Sequence, residues 1–421
     1  MIFSRAKFSN ATALVFVAMI IPGIISATTY TVCSSGCDYT TLQNALNNVA
    51  SGNTIQLNQN ITEDISLDNY SKTLTIQSDS TRRTWTNNSS RNLNFTNSGG
   101  YNLTFTNIDF RNNSGSEMVY MNQSGTLKFY NDTFINSSGS GRLIEMQNGG
   151  NMYFYQCELG GNAATVGGIQ IQSGVNYPGG IYMENSIVRD IGNGYAFDCQ
   201  QSTSNPMITL YNCTLKGNST AYYSKSAGVI KNTLFLGNST DLNLNNSAST
   251  SNFTYCGFSK QSSFGGTGNL FGLTPANVVQ DMAGNNLHLI CSGNSVVDAG
   301  VDMSAYYTVD KDGITRPQGN GYDMGAYECP GINLAKSSNV SWAYIGDTVT
   351  YCLTYTNSTT SDMTTELWDT VPGNMVFVGC TNSCDTQTFG IYNVVHWSLV
   401  LGAGQYGTQC FYARVTDYVR P

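Results

Sequence analysis

The chain has 421 residues, enough for one large domain and a small one. Only 11% of them are charged, against roughly 25% in an average soluble protein, so the polar surface must come from Asn, Ser, Thr, Gln and Tyr. A net charge of −8 without a basic run argues against a nucleic-acid partner, and the 11% of aromatic residues argues against disorder.

At the N-terminus Arg5 and Lys7 precede the apolar residues 11–21, then Pro22-Gly23 and the small-residue end Ser26-Ala27. This reads as a secretory signal over residues 1–27. Ile25 suits a cleavage site poorly, which leaves an uncleaved anchor as the alternative. No later stretch is long and apolar enough to span a membrane, so the expected location is secreted or cell-surface. All 12 cysteines follow the signal, an even count that suits disulfides in an exported chain. Cys33 with Cys37 and Cys380 with Cys384 are close enough in sequence to close small loops. Neither pair has the companion ligands of a zinc site. Seventeen Asn-x-Ser/Thr triplets, Asn60, Asn102, Asn131 and Asn218 among them, permit glycosylation.

The first predicted element is a short amphipathic helix after Thr40, with Leu42, Ala45, Leu46 and Val49 on one face and Gly52 as its stop. Then one spelling recurs: LTFTNIDF from Leu103, LKFYNDTF from Leu127, MYFYQCEL from Met152 and ITLYNCTL from Ile208, with weaker copies from Gly180, Gly228 and Ser251. Taking Asn107, Asn131, Gln156, Glu184, Asn212, Asn232 and Tyr255 as position zero, the intervals are 24, 25, 28, 28, 20 and 23 residues. Such a period predicts stacked coils. Two places before zero stand Phe105, Phe129, Phe154, Tyr182, Leu210, Ile230 and Phe253. Three places after stand Phe110, Phe134, Leu159, Ile187, Leu215, Phe235 and Phe258. Alternation within each arm is period two, which means strands with one buried face. The parity changes at zero, so the chain must bend there, and Asn tolerates the left-handed backbone such a bend requires. A second polar column, including Asn113, Ser137, Asn162, Asp190, Asn218 and Asn238, marks another corner at +6.

The cap, the repeat and the corner asparagines together resemble the right-handed parallel β-helix proteins of the pectate-lyase-like superfamily, over residues 28–330. The end of this stretch is similar to the terminal motif of the choice-of-anchor Q group of surface proteins. The matching residues are Asp298-Ala299-Gly300, Asp310, Asp312-Gly313, Arg316-Pro317 and Gly325-Ala326-Tyr327-Glu328. That resemblance implies export and display, and no particular reaction. From residue 331 to 421 short strand-and-turn runs predict a small β-sandwich. Gly346-Asp347-Thr348, Tyr351, Asn357 and Asp369-Thr370-Val371-Pro372 resemble the prealbumin-like modules found in tandem on prokaryotic surface proteins. In those modules another strand follows a segment like CFYARVTDYVRP, so the chain is read either as cut short after Pro421 or as completed by another molecule. A Cys352–Cys410 bridge is expected across this sandwich.

The fold class expected is therefore all-β: a right-handed parallel β-helix with an N-terminal capping helix, then an Ig- or prealbumin-like sandwich that is incomplete on the first of those readings. Catalytic candidates come from the outward column at +2, where Asp109 and Glu158 lie two turns apart and could form a carboxylate pair. The bland alternative is a solvated face. Asp132 stands in an inward column, either paired with a corner donor or marking a slip of register. Cys157, Cys213 and Cys256 share that column one turn too far apart to bond to each other. Asp310, Asp312 and Asp323 could donate oxygens to calcium, although a turn held by Asp-to-backbone bonds explains them as well. No other cofactor is expected, nor a cofactor-bearing partner. Tyr130, Tyr153, Tyr155 and Tyr211 fall on one outer face and could stack on sugar rings. Ordinary strand propensity is the alternative. The leading functional reading is a surface protein, adhesive or structural, that binds a polysaccharide or cell-wall glycan. The second is a polysaccharide lyase or glycoside hydrolase.

Overall fold

The computed structural model describes residues 27–417 apart from 97–98, 123, 137–138, 174–178, 292, 358–361 and 390–391. The signal segment, except Ala27, and Ser137 of the second polar column lie outside the described residues. Successive copies of the repeat form three parallel sheets of ten, nine and eight strands, each ordered along the chain. One turn runs through Tyr101–Thr106 in the first sheet, Ile108–Asn112 in the second and Val119–Met121 in the third. In the next turn Gly125–Tyr130, Thr133–Asn136 and Ile144–Met146 pair with them in register. The chain is a parallel β-solenoid, and right-handed winding is the hand that parallel crossovers take almost without exception.

Register places like on like. Phe129 pairs with Phe105 below and Phe154 above, and all three are buried with rings stacked at 5.2 and 5.1 Å. Burying one such ring contributes roughly 1.5–3 kcal/mol before packing is counted. The bend is where the spelling predicts it. Asn107, Asn131, Gln156, Asn212, Asn232 and Tyr255 all have φ between 47° and 60°. The amide just past this bend would be left without a partner, and the next turn supplies one. Asp132 accepts from the N–H of Ile108 and Ser186 from that of Cys157. Asp132 therefore keeps its register and serves as a buried corner acceptor, with burial holding its carboxyl well above the ordinary range.

One copy is read a residue early in the sequence. Tyr155 pairs with Glu184, and it is Asn185 that takes the left-handed conformation, with φ 46°. Met183 and Val188, not Tyr182 and Ile187, thus occupy the inward columns, while Tyr182 turns outward beside Tyr153. The second corner also departs from a single column. Asn87 donates to Asn112 at 2.8 Å, and further along Asn218 donates to Asn238 at 3.0 Å.

Both ends of the coil are covered. The helix Leu42–Asn48 buries Leu42, Ala45 and Leu46 over the first turn, with Thr41 as its cap. The Glu63 carboxylate accepts from the N–H groups of Leu42 and Gln43. At the far end Phe264 and Phe271 pack on Phe253 and Phe258, and Asn269 bonds the backbone of Phe253 and Cys256.

Residues 294–329 then double back as a strap along the corner between the first and second sheets. Asn232 exchanges two 2.8 Å bonds with Val301. Asn212 donates to the carbonyls of Asp323 and Gly325 and accepts from the Tyr307 hydroxyl. Gln156 donates to the carbonyl of Asp310. Within the strap the Arg316 guanidinium is wholly buried against Glu328 at 2.6 Å. Gly325 has φ 97°, and a Cβ there would lie 2.6 Å from Leu234, so the strap can approach the sheet only with glycine at this point. A bridge between Cys291 and Cys329, not foreseen from the sequence, ties the base of the strap.

The last segment forms a four-stranded and a three-stranded antiparallel sheet around Leu353, Leu367, Val395, Trp397 and Phe411. Cys352 and Cys410 are bonded, but within one sheet and not across the sandwich as expected. They are direct partners on adjacent strands, with Cα atoms 4.1 Å apart. Cys33–Cys37 and Cys380–Cys384 are also bonded, while Cys157, Cys199, Cys213 and Cys256 are free and buried. Burial pushes the Cys213 and Cys256 thiols up to about 12, which makes them inert.

Candidate functional site: an aromatic row on the first sheet

The outward residues of the first sheet follow from the pleat: every second side chain leaves the coil, and register stacks them into columns. The column just before the bend reads Tyr130, Tyr155, Glu184, Tyr211 and Lys231. Two places earlier it reads Lys128, Tyr153, Tyr182, Thr209 and Val229. The rings form a continuous row. Tyr130 and Tyr155 stack at 4.4 Å, Tyr182 lies 5.9 Å from Tyr155 and 6.0 Å from Tyr153, and Tyr211 meets Tyr182 edge-on at 5.6 Å. Tyr306 from the strap extends the row, 5.2 Å from Tyr211. Tyr130 and Tyr306 are the open ends, 37% and 59% exposed, whereas Tyr211 is buried beneath the strap. Of the four tyrosines named from the sequence, all are on this face. Tyr182 and Glu184 were missed through the one-residue slip.

Beside the row lies a shallow depression of about 360 Å³, lined by Asn151, Tyr153, Gly180, Tyr182, Asn205 and Thr209 among others. Ring faces next to amide and hydroxyl groups suit a sugar, which offers C–H faces and a rim of hydroxyls. Within the row, Glu184 receives the Tyr182 hydroxyl at 2.6 Å. Its carboxyl is pushed up to about 7, chiefly because burial disfavours the charged form.

On the second sheet the two candidate acids stand in one column two turns apart, as the repeat predicts, but an arginine takes up each of them. Asp109 and Glu158 share a column with Thr133 between them. Arg111 holds Asp109 at 2.6 Å and Arg189 holds Glu158 at 2.6 Å. The next outward residues are Ile187, Thr214 and Leu234. Ile187 and Leu234 are buried against Val296, Met324 and Ala326, so the terminal residues cover the face where a cleft would have to open. The three aspartates suggested for calcium are spent on backbone amides or on histidine. Asp310 accepts from Asp312, Ile314 and Glu328, and Asp323 from Asp298 and Cys329. Asp312 pairs with His288 at 2.7 Å. Among the described residues no three His, Cys, Asp or Glu side chains converge as a metal site.

The third sheet carries a polar ladder that the repeat spelling did not reach. Its outward column reads Asn94, Tyr120, Glu145, Gln170, Asp198 and Tyr223. Arg142 lies between the two acids, 3.5 Å from Glu145 and 3.9 Å from Asp198. Gln172 donates to Glu145, while Gln170 and Gln200 donate to Asp198. Burial, and then the nearby Glu117, raise the Glu145 carboxyl. Spacing held the signal: Tyr120, Glu145 and Gln170 follow one another at the period of the coil.

No family model and no curated protein matches the chain. Among solved structures it is similar to the crystal structure of pectate lyase Pel9A, at 14% identity over 73% of this chain and 97% of that one, with a TM-score of 0.43.

Proposed function

We propose that the chain is a secreted, surface-displayed β-helix, adhesive or structural in role, that binds an extracellular polysaccharide along the tyrosine row of its first sheet. The observation that carries this reading is the row itself. Four rings, Tyr130, Tyr153, Tyr155 and Tyr182, sit over three consecutive strands, beside a depression with amide and hydroxyl groups at its rim. Strands repeat every ~4.8 Å, close to the length of one sugar in an extended chain, so the row can meet successive units in step. The terminal motif and the sandwich add support for display through their resemblance to surface-anchored modules. The test is titration calorimetry against a panel of neutral, acidic and amino polysaccharides. One class should bind, and Tyr153→Ala and Tyr182→Ala should each weaken it roughly tenfold, about 1.4 kcal/mol of stacking. No heat with any member of the panel would reject the reading.

A second reading, glycoside hydrolysis on the third sheet, has one observation in its favour. Glu145 and Asp198 lie two turns apart in one outward column, on either side of the Arg142 guanidinium, and two facing carboxylates are what inverting glycosidases use. The raised carboxyl of Glu145 suits the general acid. On this reading purified protein releases reducing ends from one polysaccharide, and Glu145→Gln lowers that rate at least about a hundredfold. Equal release by the variant would dismiss it.

A further inference from the structure

We propose that the tyrosine row is built for a positively charged sugar: the structure assigns to Glu184 and the rings around it a site for the ammonium group of an unacetylated amino-sugar polymer. The inference rests on the glycan-binding reading above and adds the chemistry of the ligand.

Glu184 is the one acidic member of the two outward columns, and its place among the tyrosines is specific. Tyr155 precedes it and Tyr211 follows it in the same column. Tyr182 stands two residues away on its own strand and holds one carboxylate oxygen at 2.6 Å. Tyr307 of the strap is near enough to feel its charge, and packs in one cluster with Tyr211 and Tyr182. The side chain is nine-tenths buried, yet its other oxygen has no bond from any described residue and retains contact with solvent. Burial disfavours the charged form of this carboxyl, and a cation held against it would restore that form.

Tyrosine faces carry negative potential and attract ammonium groups, most strongly where water is displaced. The protein already uses one of these rings in that way: the Lys231 ammonium lies 6.0 Å from the centre of Tyr211. The tyrosines that neighbour Glu184 thus offer a cation ring contact in addition to an ion pair. A neutral sugar would use the rings and leave the carboxylate without a partner. A uronic acid would bring a second anion to it, which is unfavourable even with Lys128 and Lys231 at the ends of the two columns. The depression at Tyr153 and Tyr182 seats the adjoining sugar on the side of Tyr182 away from Glu184.

The experiment compares three probes by calorimetry on the full chain: a glucosamine tetramer, its N-acetylated form and an oligogalacturonate. A trimethylated glucosamine oligomer is added at about pH 8, where the ligand keeps its charge and a free carboxyl of this kind is ionised. The expected result is binding of the glucosamine and trimethylated forms at least tenfold tighter than of the other two, with that preference abolished in Glu184→Gln. Because Gln is isosteric and still accepts from Tyr182, a folded variant is expected, and Tyr182→Phe provides a second route that frees the carboxylate. Equal binding of acetylated and free forms, or a preference unchanged in Glu184→Gln, would overturn the ammonium site while leaving glycan binding in place. Binding of none of the probes by the wild-type chain would overturn this inference and, if the full polysaccharide panel also failed, the parent reading with it.

Discussion

Phe129→Ala is expected to destabilise the coil by about 3–5 kcal/mol. The ring sits at the centre of a buried aromatic stack, between Phe105 and Phe154, with Phe110 and Phe134 edge-on at 6.0 and 5.0 Å. Its neighbours belong to strands pinned on both sides by ladder bonds, so they cannot collapse into the hole. Neighbouring aromatic contacts are lost as well, each worth about 0.5–1.5 kcal/mol beyond area. Tyr130→Ala, one residue further along the same strand but 37% exposed, should cost well under half as much. Urea denaturation followed by far-ultraviolet circular dichroism measures both. Similar losses for the pair would mean that the period-two assignment of faces is mistaken.

Arg316→Met should cost a comparable 3–5 kcal/mol, by a different route. The guanidinium bonds Glu328 and the carbonyls of Asp323 and Gly325, all out of water. Methionine would leave the Glu328 carboxylate buried without its counter-charge. The loss should therefore depend on pH. In the variant the folded-state pKa of Glu328 lies further above its unfolded value, so the folded form holds a proton that the unfolded chain gives up. Stability of the variant then falls as pH rises out of the ordinary carboxyl range, and recovers in part on acidification. Burial and the charge of Glu328 raise Asp323 in the same way. Replacing both partners, Arg316→Met with Glu328→Leu, should restore much of the loss. Limited proteolysis within residues 294–329 reports the same event, since a loosened strap exposes its backbone to cleavage. A single variant with wild-type stability at neutral pH would contradict this account.

The repeat made the coil legible because inward aromatic residues and corner asparagines recur where the backbone demands them. Reading failed where two registers satisfied the same pattern. Around Glu184 either Tyr182 or Met183 could fill the inward column before the bend, and either Ile187 or Val188 the one after it. Only the left-handed backbone of Asn185 decides between them. The slip concealed Tyr182 and Glu184, the two residues that give the aromatic row its centre. The third sheet was harder still. Its strands are as short as three residues, as at Val119–Met121 and Ile144–Met146, too brief for alternation to be seen in one copy. The strap was recognisable as a motif but not as a lid on the second sheet, because its contacts join residues 69 to 155 apart in sequence. Nothing local in Ile187 or Leu234 says that the outer face there is dry.

The coverings at the two ends of the coil have a consequence for how copies of the molecule meet. A stack of parallel strands in register has the geometry of a growing fibre, and its terminal strands are templates on which another chain can polymerise. Here Leu42–Asn48 occupies one template, while Phe264, Asn269 and Phe271 occupy the other. With both templates filled from within the same chain, copies of the molecule can stay separate even at high concentration.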